Sequence, residues 1–203
     1  MRTPHVPPDS LMGKAILSTR LRPGAVVGLG LTASLIVPVV ALAGGAVVLA
    51  ALPLIGVTAL TEVSYALLAS RSTNLSRRVL VFEPLAGRLS EASWLLALWF
   101  LGAPGWVVVV TGALCWTYVQ TRSRARQVGL RDLGMITLGE RSVRTVTVAL
   151  GFAAAGVIAV GGGFEHSAWI SGAVTVAATA WLLMAALGLL QLVIVVAAAL
   201  RNE

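Results

Sequence analysis

Charge is the first thing this chain lacks: only 11% of its 203 residues are charged, against 58% hydrophobic, with a mean hydropathy of +0.91. A water-soluble domain of this length would have to expose much of that apolar surface, so lipid is the solvent this composition fits. Acidic residues number eight and cysteine one. Cys115 has no intrachain partner, which excludes a disulfide, and no metal-ligand spacing surrounds it, which excludes structural zinc. Nucleophile triads and phosphate-cradling glycine loops are also missing.

What charge there is has one sign, a formal +7. A basic chain can attract nucleic acid through its phosphates, but the placement of the arginines argues against that partner. Lys14, Arg20 and Arg22 precede the first apolar run, and Arg71, Arg77, Arg78 and Arg88 lie between the second and third. Arg122, Arg124, Arg126, Arg131, Arg141 and Arg144 lie between the fourth and fifth, and Arg201 follows the last. The intervening connections, residues 43–46, 102–105 and 161–167, hold no basic residue. This alternation is the positive-inside pattern of a polytopic membrane protein.

A spanning helix needs roughly 20 predominantly apolar residues. Residues 25–42 and 46–68 form one such pair around Gly44-Gly45, 85–102 and 106–120 a second around Ala103-Pro104-Gly105, and 143–160 and 168–190 a third around Gly161-Gly162-Gly163. The expected fold is therefore all-α, a bundle of about six transmembrane helices. Residues 1–22 form a cytoplasmic tail and juxtamembrane segment, and residues 23–203 a single domain. Ala41-Leu42-Ala43 resembles a signal-peptidase site, but the preceding apolar run exceeds the 7–15 residues of a signal h-region, which favours an uncleaved span. The last run continues apolar to Leu200, longer than one upright span requires. Trp99, Trp106 and Trp169 fall at the predicted outer boundary, as an aromatic belt would, whereas Trp116 and Trp181 are expected between helices. Gly24-x3-Gly28 matches the small-residue packing motif of membrane helices.

Carboxylates at membrane depth are costly, so Glu62, Glu83 and Glu91 are the natural candidates for chemistry. Ion pairing with Arg71, Arg77, Arg78 or Arg88 is one reading, and a metal site the other. Reading onward from Glu62, the residues run Glu62-x2-Tyr65-Ala66-x2-Ala69-Ser70-x8-Val79-x3-Glu83-x3-Gly87, followed by Arg88-Leu89-Ser90-Glu91. That spacing, with no gap, resembles the D-x2-D-G-x2-A-R-x8-G-x3-D-x3-D pattern of the integral-membrane CDP-alcohol phosphotransferases and its D-R-x-S-(D/E) continuation. Ala69 is the identical position, and Glu62 and Glu83 keep a carboxylate. Farther on, Tyr118-Val119-Gln120-Thr121-Arg122-Ser123-Arg124-Ala125 and Gly139-Glu140-Arg141-Ser142-Val143-Arg144 resemble the S-Y-V-R-A-R-A and E-R-P-E-R stretches of the phosphatidylinositol-phosphate synthase branch. The resemblance covers roughly residues 23 to 160.

The resemblance implies a six-span homodimer, or a heterodimer with an active homologue, in which four aspartates hold two divalent cations on the pyrophosphate of a CDP-lipid. Here Tyr65 and Gly87 replace two of those ligands, and Ala66 and Val79 replace glycines that let the nucleotide approach. Glu62 and Glu83 could hold at most a weak remnant site for Mg²⁺ or Mn²⁺. No cofactor is expected otherwise. Arg71, Arg88, Arg141 and Arg144 are the candidate phosphate- or lipid-binding residues, because guanidinium forks grip phosphate oxygens in pairs.

The expected function is thus a non-catalytic membrane subunit that binds lipid, with a CDP-lipid or another anionic lipid as candidate ligand, or binds a partner protein. An active phosphotransferase of phospholipid synthesis and an unrelated small transporter or assembly subunit stay open. Glycine and alanine richness with arginine dominating lysine points to a bacterial cytoplasmic (inner) membrane, with both termini cytoplasmic.

Overall fold

A computed structural model describes residues 10–19, 21–71, 76–130, 141–161 and 166–201. These residues are helical throughout, with no strand among them. The protein is an all-α membrane protein in which four helical stretches are long and apolar enough to cross a bilayer: Pro23–Ala43, Gly45–Ser70, Ser142–Gly161 and Ser167–Leu200.

The helices are α1 (Leu11–Ser18), α2 (Pro23–Ala43), α3 (Ala51–Arg71), α4 (Arg77–Phe100), α5 (Gly105–Gln127), α6 (Arg141–Gly161) and α7 (His166–Leu200). The short α1 falls where sequence suggested only a juxtamembrane segment. Ser10 starts it, its Oγ accepting from the Gly13 N–H at 3.0 Å and satisfying an amide left over at the first turn. Pro23 begins α2, where its missing N–H costs nothing. The expected Gly44-Gly45 turn forms, both residues at positive φ (66° and 56°), where a side chain would be strained. It leads into a 3-10 segment, Gly45–Ala50, before α3 begins. Gly102, at φ 106°, closes the α4–α5 turn, and its carbonyl accepts from Ser171 Oγ of α7 at 2.9 Å. The third predicted turn, at Gly162 and Gly163, lies outside the described residues.

Two helices depart from the apolar runs that announced them. α4 begins at Arg77, eight residues ahead of its apolar run, because a helix propagates from its nucleus into polar residues as readily as into apolar ones. α7 continues unbroken for 35 residues, about 52 Å at 1.5 Å per residue. A tilt cannot absorb that length within about 30 Å of hydrocarbon. Its far end runs beside the end of α5 instead, where Leu192 packs with Tyr118 and Ala125.

Packing sorts the helices into two packets. α2 lies along α3 and α4, and α7 lies along α5 and α6. The packets join where α6 meets the 3-10 segment and α3, and where α4 touches α5 and α7. Trp94 and Leu98 of α4, Phe152 of α6 and Trp181 of α7 are fully buried at that junction, within one continuous apolar core. Close approach depends on missing side chains. A methyl at Gly151 of α6 would come within 2.6 Å of the Ala177 Cβ of α7. In the Gly24-x3-Gly28 motif only Gly24 lies close to a neighbour: a methyl added there would come within 3.2 Å of a Val79 methyl, while Gly28 has open space.

Trp181 is buried as expected, and Trp99, Trp106 and Trp169 are exposed near the α4–α5 turn and the start of α7. Trp99 stacks on Phe100 with centroids 5.5 Å apart. Trp116 contradicts its expectation: it is 54% exposed, because α5 turns Cys115 inward and Trp116, 100° farther round the helix, outward.

Candidate functional site

α4 carries two polar faces, and each faces a different neighbour. The first is built by close approach of α2 and α3. Gly30 of α2 faces Thr61 of α3 so tightly that a methyl on the glycine would collide with the hydroxyl. Below that contact Ser34 Oγ and Thr58 Oγ1 share a hydrogen bond of 2.9 Å, and Thr58 reaches the Gly30 carbonyl at 3.3 Å. Buried hydroxyls are thereby satisfied within the bundle, as a membrane interior requires.

Against this wall the first face of α4 closes a small cavity of about 30 Å³, lined among others by Glu62 and Tyr65 of α3 and Glu83, Gly87 and Ser90 of α4. All four residues compared above with the aspartates of the CDP-alcohol phosphotransferase pattern, Glu62, Tyr65, Glu83 and Gly87, line this cavity. Helical geometry accounts for this: steps of three and four residues keep Glu62 and Tyr65 on one face of α3, and Glu83 and Gly87 on one face of α4. Among the described residues no three His, Cys, Asp or Glu side chains come together. Two carboxylates in such a space do not fit a pair of divalent cations, each demanding about six oxygens. Val79 packs near Gly24 at the start of α2, where a methyl on the glycine would lie 3.2 Å from a Val79 methyl.

The second polar face of α4 is a buried ion cluster. Glu91 is 1% exposed. Its Oε2 forms an ion pair with Arg88 Nη1 at 2.8 Å, one turn back on the same helix, and its Oε1 pairs with Arg144 Nη1 of α6 at 3.1 Å. Arg144 is itself buried, and the Cys115 thiol lies beside it and Trp181. A single carboxylate between two guanidiniums satisfies charges that the apolar junction could not otherwise hold.

The sequence-derived residues are thus divided. Glu62 and Glu83 meet at the cavity; Arg88 does not join them but turns to the other side of α4, to Glu91 and Arg144. Arg71 and Arg141 end α3 and begin α6, and their side chains lie outside the described residues, as does Glu140. Sequence reasoning weighed Glu91 both as a partner for nearby arginines and as a candidate for chemistry, and the structure pairs it with Arg88, three residues back on the same helix. The Glu91–Arg144 bridge and the Cys115 environment carried no local signal. No protein-family model, no curated protein and no solved structure matches the chain.

Proposed function

We propose that the protein is a non-catalytic, six-span membrane subunit, laid out like a CDP-alcohol phosphotransferase, that binds lipid or a partner protein rather than transferring a phosphoryl group. One observation carries the reading: the four family ligand positions converge on a cavity that offers two carboxylates, a tyrosine ring and a glycine. Two-metal catalysis stabilises attacking and leaving oxygens together and needs a full ligand set and an open nucleotide cleft. Glu62 and Glu83 remain as a vestige of the ligand set, and Gly87 supplies no base. Of the arginines expected to meet anionic lipid, Arg71, Arg88 and Arg141 keep that role in this reading, in a homodimer or beside an active homologue, while Arg144 is buried against Glu91.

In this reading α4 and α5 also cross the bilayer. At 24 and 23 residues they are about 36 and 34 Å long, and their charges fall on helix faces covered by neighbours or at the arginine-bearing end. Both termini and the arginines then lie in the cytoplasm of a bacterial inner membrane. A cysteine in place of Gly105 should react with an impermeant maleimide added to whole cells, and one in place of Ser123 should not. Labelling of Ser123→Cys from outside would overturn the layout.

The catalytic half of the proposal predicts that the purified protein releases no CMP from CDP-diacylglycerol with Mg²⁺ or Mn²⁺, whatever alcohol is offered. CMP release that Glu83→Gln abolishes would make it an enzyme.

A further inference from the structure

The contact between the far ends of α5 and α7 holds a charge that the bundle does not neutralise. Tyr118 and Ala125 of α5 pack there with Leu192 of α7. Arg122 stands four residues after Tyr118 and three before Ala125, so it shares the face that α5 turns to α7. It is half-buried, its Nη1 donates to the Tyr118 hydroxyl at 3.2 Å, and its Nε is enclosed without a hydrogen-bond partner among the described residues. Among the described residues no carboxylate pairs with it. Neither helix could supply one, since α5 and α7 contain no Asp or Glu along their whole length.

Arg88 and Arg144 show the alternative, because those guanidiniums share the carboxylate of Glu91. A half-buried guanidinium whose hydrogen bond goes to a neutral hydroxyl is costly unless an anion from outside the chain completes it. With Nη1 on the tyrosine and Nε enclosed, Nη2 is the edge such an anion can reach. The position of Arg122 says where the anion comes from. It lies 17 residues beyond Gly105, about 26 Å along α5, close to the depth at which about 30 Å of hydrocarbon gives way to headgroups. The long arginine stem covers the remaining distance. Around the same contact α7 turns Leu190, Val193 and Ile194 outward, an apolar surface on which an acyl chain can lie.

We infer that Arg122, held in place by the Tyr118 hydroxyl, binds the phosphate of an anionic phospholipid at the α5–α7 contact. Arg124, exposed two residues farther on, adds only to the general attraction of the surface for anionic headgroups. The inference rests on the membrane layout proposed above and not on the state of the Glu62–Glu83 cavity. That layout fails on outside labelling of Ser123→Cys, whereas the lipid preference is read in detergent and fails by itself.

The test is native mass spectrometry of the full chain in detergent with an equimolar mixture of dioleoyl-phosphatidylglycerol and dioleoyl-phosphatidylcholine, read on the complex with a single lipid. The unmodified protein should retain the phosphatidylglycerol about fivefold more, the advantage of one basic residue near a membrane surface. Arg122→Gln should lower that preference to about one while retaining phosphatidylcholine as before, which shows that the variant is folded. Arg122→Lys, which keeps the charge, should keep most of the preference, and Arg124→Gln should leave it nearly unchanged. Ammonium phosphate that displaces the phosphatidylglycerol further than ammonium acetate of equal ionic strength shows that the site takes the phosphate group whatever its source, and equal displacement assigns it to lipid phosphate; either result keeps the inference. Equal retention of the two lipids by the unmodified protein would overturn it. So would a preference that survives Arg122→Gln, or one that Arg124→Gln lowers as much as Arg122→Gln does, which would leave only the general charge of the surface.

Discussion

The two polar faces of α4 differ in what they can lose. The Glu62–Glu83 cavity lies within one packet, among α2, α3 and α4, where Gly30, Ser34, Thr58 and Thr61 bring α2 and α3 close together. The Arg88–Glu91–Arg144 cluster instead joins the two packets across the apolar junction of Trp94, Phe152 and Trp181. Substitutions at the first face are therefore confined to one packet, whereas the second face holds buried charges that pair across the two packets. Both faces fit on one helix because successive residues are turned about 100° from one another.

The sharpest way to break this comparison is to remove the shared carboxylate. Glu91→Leu leaves two guanidiniums facing each other without their anion, at a cost of about 3–5 kcal/mol. Thermal unfolding in detergent should show that loss, while Glu62→Gln with Glu83→Gln should change stability by less than about 1 kcal/mol. Equal losses at the two faces would erase the distinction drawn here. Replacing Arg88, Glu91 and Arg144 together by Met, Leu and Met should recover most of the loss, since the penalty comes from an uncompensated charge rather than from a missing attraction.

A smaller effect sharpens the role of packing at the first face. Gly30→Ala forces a methyl onto Thr61 and should cost about 1–3 kcal/mol. Gly28→Ala, two residues away on an open side of the same helix, should be neutral or stabilising by up to about 1 kcal/mol. The same unfolding assay checks both, and a Gly30→Ala protein as stable as Gly28→Ala would show that α2 and α3 do not approach as closely as described.

Much of the helical layout could be read from residue order because hydropathy and arginine placement act locally. The apolar runs located every helix from α2 to α7, and Gly44-Gly45 marked its turn correctly. The start of α4 at Arg77 and the length of α7 were not legible, since apolar runs report where lipid or core is met and not where hydrogen bonding stops. The spacing of Glu62, Tyr65, Glu83 and Gly87 anticipated a shared location, and Arg88–Glu91 was visible as a helical pair. Arg144 is 53 residues beyond Glu91, and their contact depends on which faces α4 and α6 present to each other, a property of the assembled bundle. The outward turn of Trp116 was hidden for the same reason. It follows from the rotation of α5 about its axis, which the uniformly apolar run from Trp106 to Val119 does not encode.

The account stands most directly on the claim that the Glu62–Glu83 cavity does not hold divalent metal. Its test is the unfolding temperature of the purified protein with and without millimolar Mg²⁺ or Mn²⁺, alongside a variant carrying Tyr65→Asp and Gly87→Asp. A bound ion raises stability only in proportion to its affinity for the folded state. The unmodified protein should therefore show no shift, while the variant, with four carboxylates at one cavity, should be stabilised by about 1–3 kcal/mol at concentrations well above its dissociation constant. A metal-dependent rise in the unmodified protein that Glu83→Gln removes would contradict the claim.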